Sequence, residues 1–337
     1  GTGVILAESS VLNVDNALMM SSKQLSWGFI QSMGQSNVTV LNSIFANTTS
    51  NYSAAMKVSG KTRVKNTKFI NLEATITAGA IAAKEFDECI IENCTFVNVI
   101  SDKNGGAIFS DVMGYQHPNT GALIIKDTTF SNCSSGFGGA ILHLGGNIAI
   151  DNTTFTDNYA TFDGGAVYVS NANVSISNST FDNNYALYGG ERGSFGGAIY
   201  CDMSQLTLTG SNFTCNCAHE GSALYLYDAS YNISGNTFKA NANFNGSYDD
   251  IFSVFDNISD IGNNTYSGDD SISIGNVNYA TIVAIEGMNL TLIDNSIDVT
   301  TLPSRFDLRD WGWLTPVKNQ FGKNACWTFG SSGAMEY

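Results

Sequence analysis

The chain has 337 residues, of which 43% are hydrophobic and only 13% charged, and its formal net charge is −15. Such an acidic surface repels nucleic acid and anionic membranes, so neither is an expected partner. No apolar stretch reaches the ~20 residues of a membrane-spanning helix, so no transmembrane segment is expected. The chain opens on "GTGVILAESSVLNVDN", with no basic region and no small-residue cleavage site. No signal peptide is read there, and the stretch already looks like part of a repeat. The expectation is a piece of a longer protein.

From residue 35 to about 285 two motifs alternate. One is Gly-Gly-Ala followed by Ile or Val, at 105–109, 138–142, 164–168 and 196–200, with weaker copies at Ala78-Gly79-Ala80-Ile81 and Gly221-Ser222-Ala223. The other is Asn-x-Thr-Phe and its variants, which end at Phe45, Phe69, Phe96, Phe155, Phe181 and Phe238. One unit, "AVYVSNANVSISNSTF" at 166–181, puts Val167, Val169, Val174, Ile176 and Phe181 on one side of short strands. The period varies around ~25 residues, within the range of solenoids. No i, i+3, i+4 apolar spacing is present, which excludes a helical solenoid.

Abundant Gly (34 residues) and scarce Pro (3) suit strands joined by tight turns. Each coil cannot bury its own apolar face, so stacking must align Phe, Ile and Val into interior ladders. Asn ahead of the Phe suits a turn whose amide bonds the equivalent Asn of the next coil. Gly-Gly permits close backbone approach at a bend, and Ala fits a tight interior corner. These units resemble the right-handed parallel β-helix repeats of microbial, including archaeal, surface and adhesin-like proteins. The resemblance implies an all-β solenoid over 1–285, a cell-surface or extracellular prokaryotic location, and a glycan or surface-protein ligand. After Asn241 the pattern loosens; 245–285 reads as the last coils and 286–301 as a final strand and linker.

Chemistry within the coils would need two or three converging carboxylates. The candidates are Asp157, Asp163 and Asp182, with Glu191 and Arg192 in an insertion; Asp157 and Asp182 occupy similar repeat positions. Turn chemistry accounts for the same residues, as it does for Asp249-Asp250 and Asp269-Asp270, read as solvated turn acids and not as calcium ligands. His117, His143 and His219 lack metal spacing and read as surface or turn residues. No metal and no cofactor is expected. Asn-x-Ser/Thr sequons, such as those at Asn37, Asn152 and Asn178, are many, and because Asn-x-Thr-Phe is the repeat itself a ladder explains most of them without sugar. Cys89, Cys94, Cys133, Cys201, Cys215 and Cys217 match no disulfide framework and read as small buried fillers.

From Leu302 the character changes: "LPSRFDLRDWGWLTPVKNQFGKNACWTFGSSGAMEY" has two Trp in three residues and frequent Arg and Lys. This stretch resembles the start of the mature domain of papain-family cysteine peptidases. The match runs through Leu302-Pro303, Phe306-Asp307-Leu308-Arg309, Thr315-Pro316-Val317-Lys318-Asn319-Gln320 and Cys326-Trp327 with Phe329. The resemblance implies the beginning of an α+β domain over 302–337, a protein or peptide substrate, Cys326 as nucleophile and Gln320 as the oxyanion-hole side chain. The residues after Cys326 read as the first turns of a helix, whose N-terminus favours a thiolate. Phe321 stands where the family usually has Gly, and Lys323 where it has a disulfide-forming Cys. The family's His and Asn lie ~130–150 residues beyond the Cys, so residues 1–337 alone are expected to be inactive. Two other functions stay open: an adhesin-like protein with a degenerate peptidase portion, and a polysaccharide-active β-helix.

Overall fold

The computed structural model describes residues 5–21, 24–112, 121–187, 193–244, 246, 249–254, 260–267 and 272–275. These residues form an all-β parallel solenoid of about nine turns, with no helix among them. Every strand pairing among them is parallel, and the strands gather into a 17-stranded and a 13-stranded sheet. The unit at 166–181 shows one turn of the coil. Val167–Ser177 lies in the larger sheet, Thr180–Asp182 and Tyr185–Ala186 in the smaller one, and Ile199–Asp202 returns to the larger sheet beside Val167. Coiling continues through Ile272–Gly275, which pairs with Ile251–Val254. The boundary at 285 and the segments 286–301 and 302–337 lie outside the described residues.

Alternation of side chains fixes which residues enter the core. Val167, Val169, Val174, Ile176 and Phe181 are all buried, on the side that the period-2 pattern assigns them. Each motif Phe stacks on the next: Phe45, Phe69, Phe96, Phe130, Phe155, Phe181, Phe213 and Phe238, ending on Tyr266, with ring centroids 4.5–5.3 Å apart. Full burial of each contributes about 1.5–3 kcal/mol, and each stacked pair about 0.5–1.5 more. Phe130 and Phe213 belong to copies (Asp127–Phe130 and Gly210–Phe213) that the Asn-based motif does not capture. Their turns use Asp127 (φ 50°) and Gly210 (φ 59°), which reach the same left-handed conformation.

The Asn ladders are present, and there is more than one kind. Asn42, Asn66 and Asn93 form an exposed row in which each amide donates to the previous Oδ1 at 2.8–2.9 Å. Asn47, Asn71, Asn98 and Asn132 form a second exposed row at the next corner. A third row is buried: Asn158, Asn184, Asn216 and Asn241 each donate to a Phe carbonyl of the preceding coil. The first three also donate to the next member of the row. Asn236 departs from its motif. Thr237 pairs with Asn212, so Asn236 sits one place inward and joins the buried row of Thr153, Ser179 and Ser211.

Gly-Gly-Ala forms the return corner. Gly138, Gly164 and Gly196 all have positive φ, and a Cβ on Gly139 would lie 2.0 Å from the Gly165 carbonyl oxygen. Ala140, Ala166 and Ala198 are fully buried at that corner. Coil stacking there brings backbone onto backbone and leaves no room for a side chain.

Candidate functional site

The outward row of the larger sheet follows from the repeat. The residues after Val167, Ile199, Leu224 and Ile251 point away from the main core, and register stacks Tyr168 on Tyr200, Tyr225 and Phe252. Their centroids lie 4.7, 5.3 and 5.3 Å apart, and Phe195 leans on Tyr225 at 4.5 Å. Carboxylates flank this ridge. Asp163 is buried and its Oδ1 accepts the Phe195 N–H at 3.1 Å. Asp202 accepts the Ser170 hydroxyl at 2.7 Å; partial burial raises its pKa, that hydrogen bond opposes the rise, and nearby Asp228 adds to it. Glu220 is raised chiefly by burial, with His219 opposing and Asp249 adding. Burial pushes the Tyr200 phenol above its ordinary value as well. Tyr200 and Tyr225 are themselves buried within this ridge, and Tyr168 and Phe252 pack against them.

Of the carboxylates picked out in the sequence, Asp157 and Asp182 do not align. The Asn183 amide donates to Asp157 at 2.6 Å, while Asp182 stands opposite Thr156 and Thr214. The one-residue offset arises because Asp157, Asn183 and Cys215 share the left-handed corner and Asp182 ends a strand. Asp163 lies beside the Gly-Gly corner, away from both. Among the described residues, no group of three or more His, Cys, Asp or Glu could hold a metal ion. Glu191, Arg192, Asp269, Asp270, His117, Gln320 and Cys326 lie outside the described residues.

Three sequence expectations are corrected. Asp249 and Asp250 are buried, not solvated: Asp249 accepts the Gly221 N–H at 2.8 Å and Asp250 the Asn241 amide at 2.7 Å. They take over at the end of the buried Asn row, where backbone and amide donors need acceptors. His143 is buried in Ile141–Asp151, its Nδ1 2.9 Å from the Ser110 hydroxyl, and burial lowers its pKa to about 3. Cys215 is exposed, since it replaces Asn at an outer corner. The filler reading holds for Cys89, Cys94 and Cys133, whose thiols burial pushes up to about 12, 11 and 12. These thiols stay protonated and inert at neutral pH.

A second feature, which no sequence motif announces, is a pocket of about 180 Å³ at the first coils, lined by Trp27, Tyr52, Lys57, Ile76, Ala82 and Lys84 among others. Trp27 and Tyr52 stack at 3.8 Å, and the Lys57 Nζ lies 4.6 Å from a Trp27 ring centroid. No repeat position marks it, because Trp27 has no counterpart in the later coils and the lysines lie in different coils.

Similarity to known proteins agrees with the coil geometry. Residues 55–238, more than half the chain, match the family described as Right handed beta helix region. A metabotropic glutamate receptor-like protein, protein R of Dictyostelium discoideum, is 29% identical over 144 residues, covering 42% of this chain and 8% of that protein. The probable cysteine protease RD19B of Arabidopsis thaliana is 54% identical over 35 residues, 10% of this chain and 10% of that protein. The chain thus spans a tenth or less of the length of these curated relatives. No solved structure gives a significant match.

Proposed function

Since the chain belongs to the right-handed β-helix family, we propose that its coils serve as the stalk or docking domain of a cell-surface or secreted papain-like cysteine endopeptidase. The observation that carries this reading is the ordered run of peptidase-like residues from Leu302 to Phe329. The short 54% identity to a probable cysteine protease supports it. In this reading Cys326 attacks the substrate carbonyl as a thiolate and forms a thioester while the amine leaves. The Gln320 amide donates to the developing oxyanion, and a His and an Asn farther along the full-length protein act as base and orienting group. The coil supplies reach and recognition; glycan or a surface protein is its ligand class.

The test is to incubate the full-length protein with an epoxide thiol-protease inhibitor and map the label by peptide mass spectrometry. Labelling at Cys326, lost on denaturation, is the expected result. A folded protein that stays unlabelled overturns the peptidase reading. Replacing Gln320 by Ala should lower kcat by about 10²–10³-fold while labelling persists, as loss of one oxyanion donor does. A second reading, an adhesin-like protein with a degenerate peptidase portion, is favoured by one specific observation: Phe321 and Lys323 stand where the family has Gly and Cys.

A further inference from the structure

Among the sequon asparagines, Asn93, Asn132, Asn152, Asn173 and Asn178 are committed to the coil itself. Each donates its side-chain amide to an Asn or Asp of the preceding coil, at 2.6–3.1 Å. Asn37, Asn212 and Asn232 are different. Each begins an Asn-x-Ser/Thr triplet, completed by Thr39, Thr214 and Ser234. Each lies in a strand, Asn37–Leu41, Asn212–Thr214 and Ser230–Ser234 in turn, and is exposed. None of the three side chains makes a hydrogen bond among the described residues. No Asn row runs through them either. Val11 and Lys61 flank Asn37 in register, Thr180 and Thr237 flank Asn212, and Thr207 and Asp260 flank Asn232. In the row of Asn212 the coils on both sides place Thr, at Thr154, Thr180, Thr237 and Thr265. Asn is depleted in strands, so neither the repeat nor the local backbone calls for it at these places.

We propose that Asn37, Asn212 and Asn232 are modification sites that carry N-linked sugar. Side chains alternate along a strand, so each Asn shares the outer face with the Ser or Thr two places on. Val38, Phe213 and Ile233, which lie between them, are buried. Amide and hydroxyl are thus offered together on the surface, as an acceptor triplet requires. The donor class is an oligosaccharide held on a lipid carrier through a phosphate ester at its C1 carbon. Asn Nδ2 bonds to C1, the C1–O bond breaks with its electron pair on the phosphate, and an amide proton passes to a base of the transferring enzyme. The ladder amides are poorer acceptors. Each already commits a proton to a neighbour, and a sugar there would crowd the next coil, ~4.8 Å away. A sugar at Asn37 would also lie beside Val11, which is 69% exposed, and hydrate the apolar surface of the first coil. The proposal rests on the cell-surface or secreted location proposed above and not on the peptidase reading.

The test is intact-glycopeptide mass spectrometry on the full-length protein recovered from its own cells, with surface and cytoplasmic fractions taken separately. Fragmentation reads any sugar by its mass and assigns it to a residue. Sugar on Asn37, Asn212 and Asn232 in most molecules of the surface fraction, with Asn93, Asn132, Asn152, Asn173 and Asn178 bare, is the expected result. Thr214→Val should abolish the sugar at Asn212 and leave that at Asn232, whereas Thr214→Ser should keep both. Surface protein that is bare at the three residues overturns the proposal and leaves the location standing. Protein confined to the cytoplasm and bare overturns both. Equal occupancy of the ladder residues, or sugar at Asn212 that survives Thr214→Val, overturns the proposal too, since neither the coil nor the triplet would then choose the site.

Discussion

Asn184 shows how much one buried polar side chain can hold together. Its amide donates to the Phe155 carbonyl and to Asn216, while its oxygen accepts both the backbone and the side-chain N–H of Asn158. Replacing it by Ala strands several buried groups, and each costs about 1–3 kcal/mol unpaired. Asn184→Ala should therefore destabilise by about 3 kcal/mol or more in chemical denaturation. Asn71→Gly, in the exposed row, should shift stability by less than about 1 kcal/mol, because Gly adopts the same positive φ without strain. His143 gives a pH signature of known sign. Its folded pKa of about 3 lies below the ordinary 6.5, so the unfolded chain takes up the proton first. His143's contribution is constant above about pH 6.5 and declines as the pH falls from there toward 3. At pH 4.5 the loss is about 2–3 kcal/mol relative to neutral pH. A His143→Gln variant should lack that part of the slope when unfolding is followed from pH 7 to 4.5; an identical slope would show that the ring is not buried as described.

At the scale of the element, the corners decide the coil. Adding a methyl at Gly139 would drive Cβ into the backbone of Tyr159 and Gly165, at 2.5 and 2.0 Å from their carbonyl oxygens. Gly139→Ala should therefore destabilise by more than about 3 kcal/mol or prevent folding. Gly235 shares a positive φ but has open space, its nearest contact being 3.9 Å away. Gly235→Asn should be tolerated within about 1 kcal/mol, as Asn populates that conformation. Thermal unfolding of the two variants side by side separates steric exclusion from backbone preference.

These elements also show what is legible in the sequence. The Gly-Gly-Ala and Phe rows can be read because stacking repeats the same demand in every coil, so the sequence repeats its answer. The offset of Asn236 and the mismatch of Asp157 with Asp182 cannot be read, since a corner and a strand end look alike one residue apart. His143 reads as a surface residue, yet a polar residue can occupy an inward position when a neighbouring coil offers a hydroxyl. The lysine pocket leaves no periodic trace at all.

At the scale of the molecule, the described coils bury inert thiols at Cys89, Cys94 and Cys133, while Cys326, the cysteine that the peptidase resemblance singles out, lies outside them. This division has a physical basis. A parallel solenoid satisfies its backbone internally and buries its apolar rows coil on coil, so its surface is free to vary without loss of fold. The aromatic ridge adds its own stacking to the fold, with Tyr200 and Tyr225 buried in it. Reactive chemistry, in the proposed reading, belongs to residues 302–337 together with the His and Asn of the full-length protein.

The most direct measurement compares peptide-bond hydrolysis by the full-length protein with that of Cys326→Ala and of the coil variant Asp202→Asn/Glu220→Gln. Loss of hydrolysis in Cys326→Ala alone, with both variants folded, is the predicted result. Undiminished hydrolysis in Cys326→Ala, or its loss in the coil variant, would contradict the peptidase reading and place the chemistry in the solenoid.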